Sequence, residues 1–246
     1  MKTIIIFLFV LCFFIIGYPL LGIFWIYGKS NPYKADICQL RIVQFILKVV
    51  AFLSGSKLTV IGEENVPKDE AVLYIANHRS MFDIVYTYSR VPHLTGYISK
   101  NGVLKVPALR AWMKRLHCLF LDRDDIKQGL KTILSAIDLV NSGISICIFP
   151  EGTRNRDAQD SASLLEFKSA SFKIAQKTGC KIVPIAITGT GEIFEKNFPW
   201  VKKSNVIIEY GQAIPYNELS PEAKKHIGAY FQNVIHEMLE THKAQL

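Results

Sequence analysis

The most strongly patterned stretch of the chain comes first. From Thr3 to Tyr27 it reads TIIIFLFVLCFFIIGYPLLGIFWIY, without a charged side chain. An uncharged run of about 25 residues exceeds the roughly 20 that carry a helix across a bilayer. Lys2 ahead of an apolar run also suits a secretory signal, whose apolar core is usually about 7–15 residues long and ends at a small-residue cleavage site. This run is longer and ends in bulky Trp25 and Tyr27, so a retained membrane segment is expected. Gly17, Pro19 and Gly22 interrupt it, which predicts either a kinked span or a shallow re-entrant element. Trp25 and Tyr27, beside Lys29, form an interfacial anchor. A second apolar segment covers residues 37–53, with Arg41, Gln44 and Lys48 recurring at helical spacing. Such a thin polar stripe suits either a buried core helix or a helix lying in the headgroup plane, and beside segment 3–27 the second is expected. Lys29, Lys34, Arg41, Lys48 and Lys57 all follow the first segment. By the positive-inside rule the rest of the chain then faces the cytoplasm, on an inner or endoplasmic-type membrane.

After Gly55 the pattern shortens and alternates. Residues 56–62, 71–77, 95–99, 118–122, 144–150, 182–188 and 205–211 are short β-branched or apolar runs flanked by turn residues, and each predicts a strand. Between them lie helical periodicities. The clearest is Ile126, Leu130, Ile133, Leu134, Ile137 and Val140, an apolar face that stops near Gly143. Residues 167–178, ahead of Gly179, and 221–242 predict two more helices. Alternation of this kind implies an α/β fold, a mixed, largely parallel sheet flanked by helices. The expected organisation is an N-terminal membrane anchor over residues 1–54 and a second domain over 55–246. No internal repeat or low-complexity tract is visible.

Composition narrows the partners. The chain has 246 residues, half of them hydrophobic, with a formal net charge of +8. The basic residues are spread along the chain rather than clustered among exposed aromatics, so an anionic membrane face fits the charge and nucleic acid does not. Cys12, Cys38, Cys118, Cys147 and Cys180 are odd in number and scattered, with no CxxC pair, so neither a disulfide framework nor a metal site is expected. A reducing compartment follows. Nothing in the pattern sets an oligomeric state.

Several short motifs carry no chemistry. Gly28-Lys29-Ser30 echoes a phosphate-loop ending with its upstream glycine misplaced, and His236-Glu237 begins a zinc motif whose second histidine is Glu240. Gly189-Thr190-Gly191 lacks the third glycine of a dinucleotide fingerprint and reads as a turn. No GxSxG elbow occurs, which argues against an ordinary serine hydrolase.

Two motifs do carry chemistry. The strand at 71–77 runs into Asn77-His78-Arg79-Ser80-Met81-Phe82-Asp83. If the chain turns into a helix there, Asp83 can hold one imidazole nitrogen of His78 and leave the other as a base for a hydroxyl proton. The strand at 144–150 delivers Phe149-Pro150-Glu151-Gly152-Thr153-Arg154 to a loop. Arg154 can grip a phosphate in a planar fork, Gly152 lets backbone approach closely, and Glu151 can orient the site.

Together NHRSMFD and FPEGTR resemble the glycerolipid acyltransferases of the 1-acylglycerol-3-phosphate acyltransferase family. The resemblance extends over most of the chain after Gly55. It implies that family's fold, with His78 as catalytic base, Asp83 as its partner, and Asn77, Glu151, Gly152 and Thr153 in support. Cys118 to Arg123 is similar to the family's second block and Val183 to Ile187 to its fourth. For the acceptor phosphate the resemblance implies Arg154, Lys100 and Arg123, with Lys105 either a neighbour or a surface residue. The implied reaction moves a fatty acyl group from acyl-CoA or acyl carrier protein to lysophosphatidate, giving phosphatidate for phospholipid biosynthesis. It needs no cofactor beyond that co-substrate and no metal. Arg110, His117 and Ala170 stand where the family usually has glycine. They bear on acceptor and chain-length preference, and His117 is read as a packing residue rather than a second base. Two other readings remain open: a different lyso-lipid acceptor, and a membrane lipid-binding protein of the same fold without turnover.

Overall fold

The computed structural model describes residues 1–122, 125–156 and 160–243. Two helices come first, α1 (Lys2–Ser30) and α2 (Pro32–Ser54), reversed at Asn31 with Pro32 opening the second. Pro is well placed there, because the first helical turn has no use for its missing N–H. Both helices are long and apolar enough to cross a membrane by length and composition. α1 continues as one helix through Pro19, so the helical run is not broken there. Gly17 serves packing instead, since a Cβ there would lie 3.1 Å from the Trp112 ring.

In the polar stripe of α2, Lys48 is exposed, while Arg41 and Gln44 reach backbone carbonyls beyond the helix. Gln44 is buried, and its amide donates to the carbonyls of Tyr88 and Val91 at 3.3 and 2.8 Å. Arg41 donates to Gln44 Oε1 at 2.6 Å and to the Pro92 carbonyl at 3.1 Å. These two polar positions tie the helix to residues 88–92, and Tyr33, Phe45 and Phe52 are among its exposed side chains. A stripe of polar side chains among apolar ones seeks whichever partner satisfies its hydrogen bonds, and here that partner is backbone carbonyl.

The sheet has eight strands: β1 (Lys57–Ile61), β2 (Leu73–Ala76), β3 (Thr95–Lys100), β4 (Leu119–Leu121), β5 (Ser145–Ile148), β6 (Lys181–Thr188), β7 (Asn205–Tyr210) and the short β8 (Ile214–Pro215). Its order is β1-β7-β6-β2-β5-β3-β4, with β8 on β6. The β6–β7 and β6–β8 pairings are antiparallel and the rest parallel. All seven expected strands are present within a residue or two of their expected ends, and β8 is additional.

Alternation along each strand separates two cores. Tyr74, Ala76, Val183, Ile185 and Ile187 face one side, under α2 and α3 (Met81–Tyr88), with Ile6, Phe9 and Val10 of α1 against the same cluster. Leu73, Ile75, Ile182 and Ala186 face the other. There they meet α5 (Ile126–Asn141), α6 (Lys173–Thr178) and α8 (Ile227–Lys243). Two expected helices are shorter than their periodicity. A single 3₁₀ turn, Ser169–Phe172, precedes α6, and residues 221–242 divide at His226 into α7 (Pro221–Lys225) and α8.

Between β3 and β4 runs α4 (Pro107–Arg115), which the sequence pattern did not announce. Just beyond its C-cap, Leu116, stands His117, the one non-glycine residue with positive φ, 56°, among the described residues. The His117 carbonyl sits where a Cβ on Gly96 would come within 2.3 Å, and its Nε2 lies 2.9 Å from Asp36 Oδ2 of α2. His117 therefore links the helical pair to the sheet at the expense of backbone strain. Replacing it by Gly or Ala removes the Asp36 contact in both cases, but only Ala keeps the left-handed penalty of roughly 1–2 kcal/mol. We expect His117→Ala to melt several degrees below His117→Gly, at roughly 2–4 °C per kcal/mol for a chain of this size. Thermal unfolding of the two variants side by side checks it; equal midpoints would remove the strain argument.

Candidate active site

Strands β6, β2, β5, β3 and β4 run parallel, so their C-terminal ends open on one edge of the sheet. In open α/β sheets that edge is where ligands bind, because the loops leaving it converge. Here it gathers the two motifs, which lie 73 residues apart at their closest hydrogen bond.

Asn77 fixes the end of β2. Its side chain exchanges two hydrogen bonds with the Ile187 backbone of β6, at 2.9 and 2.8 Å. The chain then turns into α3, whose N-cap is Ser80: its Oγ accepts from Phe82 N, and Asp83 accepts from Ser80 N at 2.8 Å. This reciprocal cap explains why the helix starts at Met81 and why Asp83, fully buried, points back along the chain. His78 Nδ1 lies 2.8 Å from Asp83 Oδ2, which also accepts from Arg79 N at 2.7 Å. Thr190 Oγ1 donates to the other oxygen at 2.5 Å. Against an acceptor-only carboxylate, the neutral imidazole places its proton on Nδ1 and keeps the Nε2 lone pair free. The ring stacks on Phe149 at 4.1 Å between centroids and is 16% exposed, so it is held in one orientation but reachable.

Glu151 joins the two motifs through backbone. Its Oε1 accepts from His78 N at 2.6 Å and its Oε2 from Leu165 N at 3.0 Å, while Asn155 N donates to the His78 carbonyl at 2.8 Å. Burial pushes the Glu151 carboxyl upward, opposed by those two N–H donors. Gly152 needs its φ of +71°, and a Cβ there would meet the Lys168 amine. Thr153 is exposed.

Arg154 donates from one guanidinium nitrogen to Glu195 Oε1 at 2.9 Å. The same carboxylate accepts from Met81 N and from Ser80 Oγ, so one side chain, 8% exposed, orients both Arg154 and the start of α3. Arg79, although next to His78, has no such freedom: it donates to the carbonyls of Asp160, Ser161 and Ser163. Lys100 ends β3 on the same edge and is exposed, and among the described residues no hydrogen bond or ion pair joins it to His78, Asp83, Glu151 or Arg154. Lys105 is exposed on the turn that follows. Arg123 lies outside the described residues.

Thr190 and Glu195 escaped the sequence analysis. Thr190 belongs to the Gly189-Thr190-Gly191 turn, which the sequence showed as a turn and no more. Gly189 makes that turn possible, with φ +84° and no room for a Cβ beside the Asn205 carbonyl. Glu195 is separated from Ser80 by 115 positions, and no local pattern marks it.

What this edge can do chemically is limited by what it lacks. The Ser80 hydroxyl is committed to Glu195 and Phe82 N. Burial pushes the thiols of Cys118 and Cys147 up to about 11 and about 12. Neither type of side chain is poised to carry an acyl group, while the free imidazole nitrogen can serve a hydroxyl that arrives from outside. A base held in this way suits transfer of a group to an incoming hydroxyl. Residues 57–188, more than half of the chain, match the family model described as Acyltransferase, and the chain belongs to that family. It is 31% identical over 200 residues to the 1-acyl-sn-glycerol-3-phosphate acyltransferase of Borreliella burgdorferi, covering 80% of this chain and 77% of that protein. A chloroplastic enzyme of the same description from Arabidopsis thaliana is 32% identical over 189 residues, 75% of this chain but 49% of its own length. The crystal structure of the 1-acyl-sn-glycerophosphate acyltransferase of Thermotoga maritima superposes with a TM-score of 0.79 at 26% identity, covering 99% of this chain and 98% of that one.

Proposed function

We propose that this acyltransferase moves a fatty acyl group from the thioester of acyl-CoA or acyl carrier protein to the free hydroxyl of 1-acylglycerol-3-phosphate, giving phosphatidate. The observation that carries the reading is the His78–Asp83 pair at 2.8 Å on the edge where Arg154 also ends. His78 Nε2 takes the hydroxyl proton, the oxygen attacks the thioester carbonyl, and the C–S bond breaks as the tetrahedral intermediate collapses. The imidazolium, balanced by Asp83, returns its proton to the leaving thiolate. Atoms and charge balance without a further cofactor. Arg154 shares its fork between Glu195 and the acceptor phosphate, with Lys100 as an added cation, and so holds the hydroxyl near His78. Residues 1–54 anchor the enzyme in the membrane where acceptor and product reside, and residues 55–246 work at its cytoplasmic face. The names of the curated relatives support the acceptor, and the cations that follow α1 support the orientation.

The test is a single assay on the detergent-solubilised full chain. Labelled acyl-CoA and acyl carrier protein are each offered with a panel of lyso acceptors, and products are separated by chromatography. We expect phosphatidate from lysophosphatidate well above any other product. Preference for a different head group would move the acceptor assignment; no transfer to any acceptor would leave the lipid-binding reading.

A further inference from the structure

Between β6 and β7 the chain leaves the sheet for residues 189–204. The loop is closed on itself by backbone hydrogen bonds: Asn197 N to the Phe194 carbonyl at 2.9 Å, Trp200 N to Asn197 at 2.8 Å, and Lys202 N to Ile193 at 2.9 Å. The Asn197 side chain adds a bond to the Glu192 carbonyl at 2.6 Å. Tied in this way, the tip holds its aromatic side chains outward, with Phe198 74% and Trp200 55% exposed. Phe194 anchors it from beneath, edge-on to Phe198 at 5.4 Å and packed against the core. Lys202 and Lys203 follow directly, both exposed and without a carboxylate partner among the described residues.

Scattered exposed apolar residues need no explanation, but these have a particular position. Val201 N donates to Thr3 Oγ1 at 2.8 Å, which sets the tip beside the first two turns of α1, where Ile4, Ile5, Phe7 and Leu8 are exposed. Glu195, three residues before Phe198, holds Arg154 and the start of α3. The aromatic tip thus bridges the apolar helix and the mouth of the site.

We propose that Phe198, Pro199 and Trp200, with Lys202 and Lys203, form a docking surface for an anionic bilayer, seating the active-site mouth on the lipid face. Amphipathic tryptophan settles at the headgroup level, and each lysine near an anionic surface adds about fivefold to the affinity. The rigid base spares the loop an ordering cost on binding. The docking surface deepens the reading of a membrane-anchored acyltransferase and rests on it.

The experiment reconstitutes the full chain into phosphatidylcholine vesicles with and without phosphatidylglycerol, using lipids brominated near the headgroup. Tryptophan emission is compared between wild type, Trp200→Phe and Trp25→Phe, so that the two differences isolate Trp200 and Trp25. We expect the Trp200 difference signal to be quenched, more strongly with phosphatidylglycerol, and Lys202→Glu/Lys203→Glu to remove the anionic preference. We further expect Phe198→Ala/Trp200→Ala to raise the acceptor KM in anionic vesicles by about tenfold, from lost apolar burial, and to leave kcat/KM unchanged for a short-chain acceptor in detergent micelles. Quenching of Trp25 but not of Trp200 would overturn the docking surface alone and leave the tip to a protein partner. Equal impairment in micelles would overturn it as well, by making the loop merely structural. If Trp25 is not quenched either, the anchor falls with it. Quenching of Trp200 without turnover by wild type would retain the docking and remove the acyltransferase reading.

Discussion

His78→Ala is expected to slow acyl transfer by about 10²–10⁴-fold, the usual contribution of a positioned general base. Folding should survive the change. The ring lies at the sheet edge against Phe149, and the backbone bonds that tie residue 78 to Glu151 and Asn155 are independent of its side chain. Asp83→Asn should be impaired comparably for a separate reason. Its Oδ2 faces the N–H groups of Arg79 and Ser80, which an amide must meet with its oxygen. The amide nitrogen then falls towards Thr190, whose hydroxyl can turn to accept. Geometry is kept, but the negative charge that balances the imidazolium is gone. His117→Ala should retain most activity, because that ring is engaged with Asp36 and not with the site. Initial rates with one donor and one acceptor, alongside circular dichroism, compare all three. Near-wild-type turnover by a folded His78→Ala protein would end the mechanism proposed above.

The second large effect concerns Arg154. Arg154→Lys preserves the charge and can still reach Glu195, so the start of α3 should stay in place. It loses the planar fork that serves Glu195 and the acceptor phosphate at once, and with it a charge-assisted hydrogen bond to the phosphate. A charge-assisted bond is worth about 1.5–3 kcal/mol, which predicts an acceptor KM raised by roughly 10- to 100-fold. The donor KM should be little changed. Steady-state kinetics varying each substrate in turn separates the two constants; an acceptor KM at the wild-type value would remove Arg154 from the phosphate site.

Much of this arrangement was legible in one dimension because its causes are local. HxxxxD works within one cap and one helical turn, so spacing alone places His78 and Asp83 together once a helix follows. The strands could be read because a buried parallel strand is a short continuous apolar run, whatever its neighbours. Pro19 and Gly17 show the complementary limit. A proline break is a local expectation, whereas an apolar helix packed on α4 tolerates the lost hydrogen bond, and Gly17 answers to Trp112 about a hundred positions away. The stripe of Arg41 and Gln44 likewise marked a polar partner without saying which one.

By itself, then, the sequence determined an uncharged N-terminal segment long enough for a bilayer, an alternating α/β chain behind it, and two motifs whose residues match base chemistry and phosphate binding. Each of these is written in residues close together in the chain, where steric and hydrophobic periodicities act directly. Only the tertiary structure decided that Thr190 holds Asp83, that Glu195 holds Arg154, that Glu151 joins the motifs through the His78 backbone, and that Val201, next to Trp200, is tied to Thr3 of α1. Those relations depend on strand order. β6 lies between β2 and β7, so the loop after it crosses the mouth formed by β2 and β5, and no spacing within the chain encodes which strand becomes the neighbour of which. Long-range pairing is settled by the burial of both sheet faces at once, a property of the assembled cores and not of any single segment.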